Sequence, residues 1–447
     1  MSSHRLVLKF GGTSVGGSDA IARVGRIVAE ARASRPVVVV SAVGGVTNQL
    51  FALGECAHAR GAWEPTFEAI VARHRAILNE LSLSLADVDA LMTELHDLSR
   101  GIALIGERTP RTSDYLASFG ERVSARIVAA HLNSIGVPAR AFDAWDVGLV
   151  TDSRFGTARP TTDAPRRIAR AFAELDGDIV PVVTGYVGRD AHGCVTTLGR
   201  GGSDYSAAIL GAALRVDEIV IYTDVDGVLT ADPRRVRDAR RLERMSFAEA
   251  AELAFFGAKV LHPATMVPAI EAGIPIRVRN TFNPAGSGTL VVAELEPRDR
   301  GVKSIATKDR IVAVNVVAGE MMLQYGFLER IADAFARHEV VVDVIATSEV
   351  SVALTTDATA SLGPVVDELS RFADVTVVRD LALVSVVGEE LRTSTDFAAR
   401  VFGSLAELSV RLEMISYGAT RNNLSFVVPS ARLDEVVATL HRRLFER

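Results

Sequence analysis

The sequence predicts an α/β fold, a three-layer sandwich on a mainly parallel sheet, followed by two smaller α+β units, and three observations carry that prediction. Up to about residue 295, short β-branched runs alternate with helical patterns, the mark of parallel strands covered by helices on both faces. The charged stretch Glu294 to Gly301 reads as a linker. Beyond it the pattern repeats after seventy residues, with Phe327 answered by Phe397 and Ile345 by Ile415.

Strands are expected at 5–10, 36–42, 138–143, 179–184, 218–223, 275–279 and 289–292. Several end in polar or glycine-rich turns: Gly11-Gly12, Ser41 to Gly45, Thr184-Gly185 and Thr223-Asp224. These turns should share one edge of the sheet, where open α/β sheets bind ligands. Residues 60–134 read as a mostly helical excursion, interrupted near Thr109-Pro110-Arg111, that caps this edge. In the C-terminal part, Gly326-Phe327-Leu328 opens a helix ending near His338, followed by strands Val340 to Ala346 and Val350 to Thr355 and a helix over 361–373. The second copy has a helix from Asp396 to about Leu408, strands Val410 to Ser416 and Asn423 to Val428, and a helix over 430–444. Each copy has βαββαβ order, a ferredoxin-like sandwich. The expected domains are 1–295, 303–380 and 381–447, with strands open to exchange between the last two.

Composition narrows the function. The 447 residues suit two or three domains, and a 48% hydrophobic content supplies their cores. Lys and Arg number 49 against 55 Asp and Glu, a net charge of −6, which argues against a nucleic-acid footprint. No apolar run approaches the ~20 residues of a membrane span, and the N-terminus lacks the apolar core of a secretion signal. Cys56 and Cys194 are too few for a disulfide framework or a cysteine metal site, so a cytoplasmic protein is expected.

Four segments carry chemistry. Lys9-Phe10-Gly11-Gly12-Thr13-Ser14 follows the first strand and reads either as a tight strand-to-helix turn or as a phosphate site, with a lysine charge, exposed backbone N–H groups and a helix starting near Ser18. It is neither a Walker loop nor a dinucleotide fingerprint. The run Gly199-Arg200-Gly201-Gly202-Ser203-Asp204 enters an apolar helix; it is a surface loop with a capping serine, or a site in which Arg200 forks onto a carboxylate and Asp204 meets an amine or a metal. Thr223 to Arg234 resembles a calcium loop but lacks its terminal glutamate, so a nucleotide-handling loop fits better. In Phe256 to Pro263, Lys259 can reach phosphates, whereas His262 reads as a structural histidine.

Together these segments, in this order and followed by the tandem repeat with Thr347-Ser348-Glu349-Val350-Ser351-Val352, resemble the amino-acid kinase family and within it the aspartokinases, most closely the monofunctional, lysine-sensitive class with tandem ACT domains. The resemblance implies an amino-acid-kinase sandwich and ATP-dependent phosphorylation of L-aspartate to 4-phospho-L-aspartate, the entry to lysine, methionine and threonine biosynthesis. It implies that Lys9, Gly11, Gly12 and Asp204 serve the transfer. Thr47, Glu121, Arg200, Ser203 and Asp204 match the aspartate site. Lys9, Phe10, Gly11, Gly12, Ser41, Thr223, Asp224, Leu229, Arg234, Lys259 and Val260 match the nucleotide site, with Leu229 standing where many relatives have tyrosine. Met321, Gln324, Phe327, Leu328, Val342, Asp343, Thr347, Ser348 and Glu349 match an effector pocket, in which lysine is favoured although Leu323 and Gln324 depart from the pattern. Magnesium is expected to arrive with ATP rather than in a protein cage, and a homodimer or dimer of dimers through the ACT domains is expected.

An attacking carboxylate is already ionised at pH 7, so the reaction asks for charge neutralisation rather than a general base. Two alternatives stand beside this reading: another acyl-phosphate kinase of the family acting on a glutamate-type substrate, and a non-catalytic amino-acid sensor. The second would be expected to lose Lys9 or Asp204, which this chain retains.

Overall fold

The computed structural model describes residues 5–256, 261, 263–317, 326–357, 361–391, 395–417 and 422–446. Two compact units emerge, Met1–Val228 with Val260–Glu294, and Leu229–Lys259 with Leu295–Arg447.

The first unit begins β1 (Leu6–Phe10), α1 (Ser18–Glu30), β2 (Val37–Val40), α2 (Val46–His58), α3 (Glu64–Glu80), α4 (Ala86–Ile105) and α5 (Pro110–Ser134). It continues with β3 (Ala139–Phe142), β4 (Val150–Thr151), α6 (Ala164–Ala173), β5 (Val180–Thr184), β6 (Val187–Asp190), β7 (Val195–Thr197), α7 (Gly202–Leu214) and β8 (Glu218–Thr223). After β9 (Arg244–Ser246) and α8 (Phe247–Phe255), which fall in the second unit, it closes with α9 (Pro263–Glu271), β10 (Ile276–Asn280) and β11 (Thr289–Val292). The main sheet runs β3-β5-β2-β1-β8-β10-β11, parallel except for the last pairing. All seven expected strands are present. Val37 to Val40 are fully buried in succession, as a central parallel strand with helices on both faces requires. A small sheet, β4-β6-β7, was not expected, because strands of two to four residues leave no periodicity to read.

The helical excursion breaks where the sequence says it should. Pro110 takes the first turn of α5, and Thr109 Oγ1 accepts the Thr112 N–H at 3.1 Å, satisfying a donor the helix itself leaves open. From there α5 crosses close over the end of β2, bringing Asp114 and Glu121 into the interior.

The second unit adds β12 (Gly301–Val317), α10 (Phe327–Arg337), β13 (Ile345–Thr347), β14 (Ser351–Thr356), α11 (Leu362–Leu369), β15 (Asp374–Glu389), α12 (Thr395–Glu407), β16 (Met414–Tyr417), β17 (Asn423–Pro429) and α13 (Leu433–Phe445). Its six strands form one antiparallel sheet, β13-β14-β12-β15-β17-β16. The repeat is real, but both long strands serve both copies. Residues Val312 to Val316 pack with α10 and α11 in one core, while Ile305 joins Phe397, Val401 and Leu440 in the other. The start of β12 therefore belongs to the C-terminal copy, and the first copy is inserted within it. Hydrophobic pattern reveals repeat units without revealing which partner an edge of the repeat pairs with.

Two expected strands are shorter than their apolar runs. Val340 N–H returns to Phe335 O and Val410 N–H to Leu405 O, so the first residues of each run close the preceding helix; Asp343 and Glu413 make the first backbone bonds to the neighbouring strands, and the regular ladders run from Ile345 and Met414. Residues 229–256, expected with the N-terminal body, are held inside the second unit. Ile305 N–H donates to Thr230 O at 2.8 Å, Ser304 Oγ donates to Leu229 O at 2.7 Å, and Thr230 Oγ1 bonds the fully buried His441 at 2.9 Å.

Candidate active site

Parallel pairing in the first unit sets Phe10 beside Val40 on one side and Tyr222 on the other, so the chain leaves β1, β2 and β8 at the same edge. The turn after β1 and the turn after β2 are in contact there. A Cβ on Gly12 would stand 3.1 Å from Ala42 O and 3.3 Å from Gly44 Cα, a crowding that glycine avoids. Gly11 donates its N–H to Tyr222 O at 3.2 Å, which removes it from the set of donors available to an anion. Gly12 is thus the glycine of this motif whose backbone fits the phosphate role, a refinement of the expectation that both do.

Lys9 is nearly buried, and its Nζ lies 2.6 Å from Asp204 Oδ1. Asp204 and Ser203 sit in the first turn of α7, whose N-terminal dipole favours negative charge in front of it. Lys9, Gly12, Ser41, Thr47, Glu121, Arg200, Ser203 and Asp204, drawn from four separate parts of the sequence, line one cavity of about 520 Å³. Every residue expected to hold the amino acid is in that set.

The electrostatics of the cavity are uneven. Glu121 is 3% exposed; its Oε1 accepts the Ala42 N–H at 3.1 Å, and its Oε2 has no hydrogen-bond partner among the described residues. Burial pushes its carboxyl up to about 8, partly offset by the Ala42 N–H. Arg200 lines the same cavity, is exposed and has no ion-pair partner among the described residues. The site therefore offers a fixed cation, a closed ion pair and a buried acid lacking one partner.

Other expected residues lie elsewhere. The Phe10 side chain is wholly buried and stacks on Tyr222 at 4.8 Å between ring centroids, so only its backbone faces the edge, where Phe10 O accepts the Ser41 N–H. Thr223 and Asp224 end β8 at the same edge, the threonine hydroxyl donating to Asp224 at 3.2 Å. Leu229 and Arg234 belong to the second unit, where Arg234 is exposed and paired with Asp232 at 2.6 Å. Lys259, Val260 and His262 lie outside the described residues.

Sequence reasoning missed Tyr186 and Gly156, which also line the cavity. Tyr186 follows the expected Thr184-Gly185 turn with φ +67°, a strained conformation for an aromatic residue that its neighbours hold: its N–H donates to Ser206 Oγ at 3.0 Å and its carbonyl accepts from Leu198 N–H at 2.8 Å. Burial raises its phenol above the usual range.

Of the expected effector residues, Phe327 is buried against Phe372, while Leu328, Thr347, Ser348 and Glu349 are exposed. Val342 packs against the core of the first copy. The Asp343 side chain is almost fully buried and accepts from Lys308 Nζ at 2.6 Å, with Asp357 3.0 Å from the same ammonium. Met321 and Gln324, with Leu323, lie outside the described residues.

Residues 4–280 match the model of the amino acid kinase family, and residues 384–444 match an ACT domain model. The chain is similar to lysine-sensitive aspartokinase 3 of Escherichia coli, 38% identical over 457 residues that cover 99% of this chain and 100% of the relative. It is 37% identical over 456 residues to chloroplastic aspartokinase 1 of Arabidopsis thaliana, covering 98% of this chain and 80% of that one. A crystal structure of E. coli aspartokinase III in complex with aspartate and ADP superposes with a TM-score of 0.81 at 36% identity, over 99% of this chain and all of the other. The same enzyme in complex with lysine and aspartate gives 0.83 at 36% identity and the same coverage.

Proposed function

The chain belongs to the amino acid kinase family and, within it, to the aspartokinases, and from that premise we propose how its own residues carry out the phosphorylation of L-aspartate by ATP. The observation that carries the proposal is the cavity of about 520 Å³, with an acid lacking one partner, a free guanidinium and a lysine around a single space. An amino dicarboxylate has one ammonium and two carboxylates, and the three groups answer it. Glu121 Oε2 receives the ammonium, Arg200 takes one carboxylate in a planar fork, and the other carboxylate is left facing Lys9.

The transfer forms a bond from that carboxylate oxygen to the γ-phosphorus and breaks the bond from phosphorus to the oxygen that leaves on ADP; no proton moves. The nucleophile is already ionised, so the barrier lies in bringing two anions together. Lys9 and the Gly12 backbone N–H neutralise the oxygens on which charge spreads, and the N-terminus of α7 adds its dipole. Asp204, paired with Lys9 at 2.6 Å, aims the lysine at the edge of the sheet. Thr223 and Asp224 are assigned to the nucleotide.

A magnesium ion carried by the nucleotide is assigned to its phosphates. Bound there, it supplies Lewis-acid neutralisation of the phosphates. The second unit is assigned to feedback by an amino acid, lysine first, with Asp343 and the start of α10 as its receiving groups. Its exposed Ile345 and Ile415 on the two edge strands are assigned to subunit contacts. Among the described residues no helix is long and apolar enough to cross a membrane.

The test is substrate profiling with an ATP-coupled hydroxamate assay. Aspartyl hydroxamate is expected from L-aspartate; product from glutamate and none from aspartate would overturn the assignment.

A further inference from the structure

We propose that Asp114 is the positioning residue of the amino-acid site, a buried carboxylate that locks two separate walls of the cavity to each other. The proposal rests on the reading of the cavity as the aspartate site.

Asp114 lies on α5, seven residues before Glu121 and on the same buried side of the helix, and is 3% exposed. Three donors from two distant loops converge on it. Oδ2 accepts the Gly156 N–H at 2.9 Å and the Thr197 N–H at 2.8 Å, while Oδ1 accepts the Thr197 hydroxyl at 2.8 Å. Gly156 lines the cavity on one wall. Thr197 ends β7 and is three residues from Arg200, on the other.

The two walls are closed by further bonds. Ala158 N–H donates to Thr197 O at 2.9 Å, and a Cβ on Gly199 would stand 3.2 Å from Gly156 O. Both backbone groups of Thr197 are therefore committed, its N–H to Asp114 and its carbonyl to Ala158. The next residue, Leu198, donates to Tyr186 O, so the same run also fixes the strained tyrosine. From this anchored point the chain turns through Gly199 and presents Arg200 and the start of α7 to the substrate. Asp114 touches no reacting atom. It acts by holding Arg200, Ser203 and Tyr186 at a fixed distance from Glu121, which α5 carries on the same rigid helix.

A carboxylate suits the task because all three incoming groups are donors, and one oxygen must accept two of them. Asparagine can keep both backbone bonds on its carbonyl oxygen, and the threonine hydroxyl can reverse to accept from the amide. Alanine leaves two buried N–H groups without an acceptor and frees the walls to part.

The experiment compares steady-state kinetics of the wild-type, Asp114→Ala, Asp114→Asn and Thr197→Val enzymes in the full-length chain. Misplacement of substrate-binding groups by a fraction of an ångström is expected to raise the aspartate KM about tenfold or more in Asp114→Ala, with the ATP KM within about twofold. Asp114→Asn should return the aspartate KM to within about threefold of wild type, and Thr197→Val, which keeps both backbone donors, should raise it about threefold. A merely structural role predicts none of this selectivity. An Asp114→Ala enzyme with wild-type aspartate KM overturns the proposal, as does a joint rise in both KM values or an asparagine variant as impaired as alanine. Should Asp114→Ala fail to fold, Asp114→Asn and Thr197→Val decide it: an aspartate KM unchanged in Thr197→Val overturns it. Wild-type enzyme inactive on aspartate would instead remove the functional reading beneath it.

Discussion

Glu121 gives the sharpest test of how the site meets its substrate. Its carboxyl is held up to about 8 by burial, with one oxygen lacking a partner. At pH 7 such a group is about nine-tenths protonated, whereas the form that pairs with an ammonium is ionised. Binding of aspartate at pH 7 is therefore expected to release about 0.9 proton, and to be weakened by about 1.4 kcal/mol relative to binding at a pH where Glu121 is already ionised. The aspartate KM should accordingly fall about fivefold to tenfold between pH 7 and pH 8.5. Calorimetry in buffers of differing ionisation enthalpy reads the proton directly, and Glu121→Gln should abolish the buffer dependence while raising the KM. The same group leaves a mark on stability without ligand. Between its ordinary value near 4.5 and its folded value near 8, the native state holds a proton that the unfolded chain has lost, so stability falls as pH rises through this window. The slope approaches about 1.4 kcal/mol per pH unit and should be absent in Glu121→Gln. Binding heats that do not change with buffer at pH 7 would refute the reasoning, because they would mean that Glu121 is ionised before the ammonium arrives or never meets it.

Three further outcomes follow from the same geometry. Lys9→Met is expected to lower kcat about a hundredfold or more with a smaller effect on the aspartate KM, in line with losing a donor to the transition state; an unchanged kcat would remove Lys9 from the chemistry. Arg200→Ala should raise the aspartate KM about tenfold or more and leave the ATP KM within about twofold, and equal losses for both substrates would argue against its role. Lysine titrated into the steady-state assay is expected to inhibit. Because Asp343 is already paired with Lys308, Lys308→Met should shift the lysine concentration for half-inhibition, and insensitivity of the wild-type enzyme to both lysine and threonine would reject feedback by these ligands.

Much of the fold was legible because the central strands are buried on both faces and appear as unbroken β-branched runs such as Val37 to Val40. The repeat was equally plain, since Phe327 and Phe397 each anchor a core at the same place in each copy. What the pattern lacked was partner information. Ile305 reads as an ordinary strand residue, and nothing local says that it packs with Phe397 rather than Phe327. The site was legible where chemistry and backbone coincide, as in Lys9-Phe10-Gly11-Gly12 and Gly199 to Asp204, because glycines at strand and helix ends have few other uses. Glu121 and Thr47 came through family resemblance alone. Asp114 left no signal of its own, since an acidic residue in a helix ordinarily marks a solvated face, and only three-dimensional proximity brings Gly156 and Thr197 to it. Gly11 shows the converse: the motif suggested a phosphate donor, but the neighbouring strand takes its N–H.

The charges of the cavity are arranged so that little of them is active before the substrate arrives. Lys9 and Asp204 cancel one another at 2.6 Å, and Glu121 is kept neutral at pH 7 by its burial. Among the described charged residues that line the cavity Arg200 alone has no ion-pair or hydrogen-bond partner, so in the proposed binding mode the first strong attraction is on a carboxylate, and a substrate drawn in by it then brings the ammonium that ionises Glu121. That exchange matters for the step that follows. A standing negative charge at Glu121 would oppose the approach of ATP phosphates, and a free Lys9 would be hydrated and mobile rather than aimed. In the proposed binding mode the substrate's ammonium neutralises Glu121, Arg200 neutralises one carboxylate, and the remaining carboxylate is left facing Lys9. On this proposal the lysine at the end of the first strand is shared between Asp204 and the moving phosphoryl group, and its task is to lower the charge between nucleophile and phosphate rather than to take up a proton.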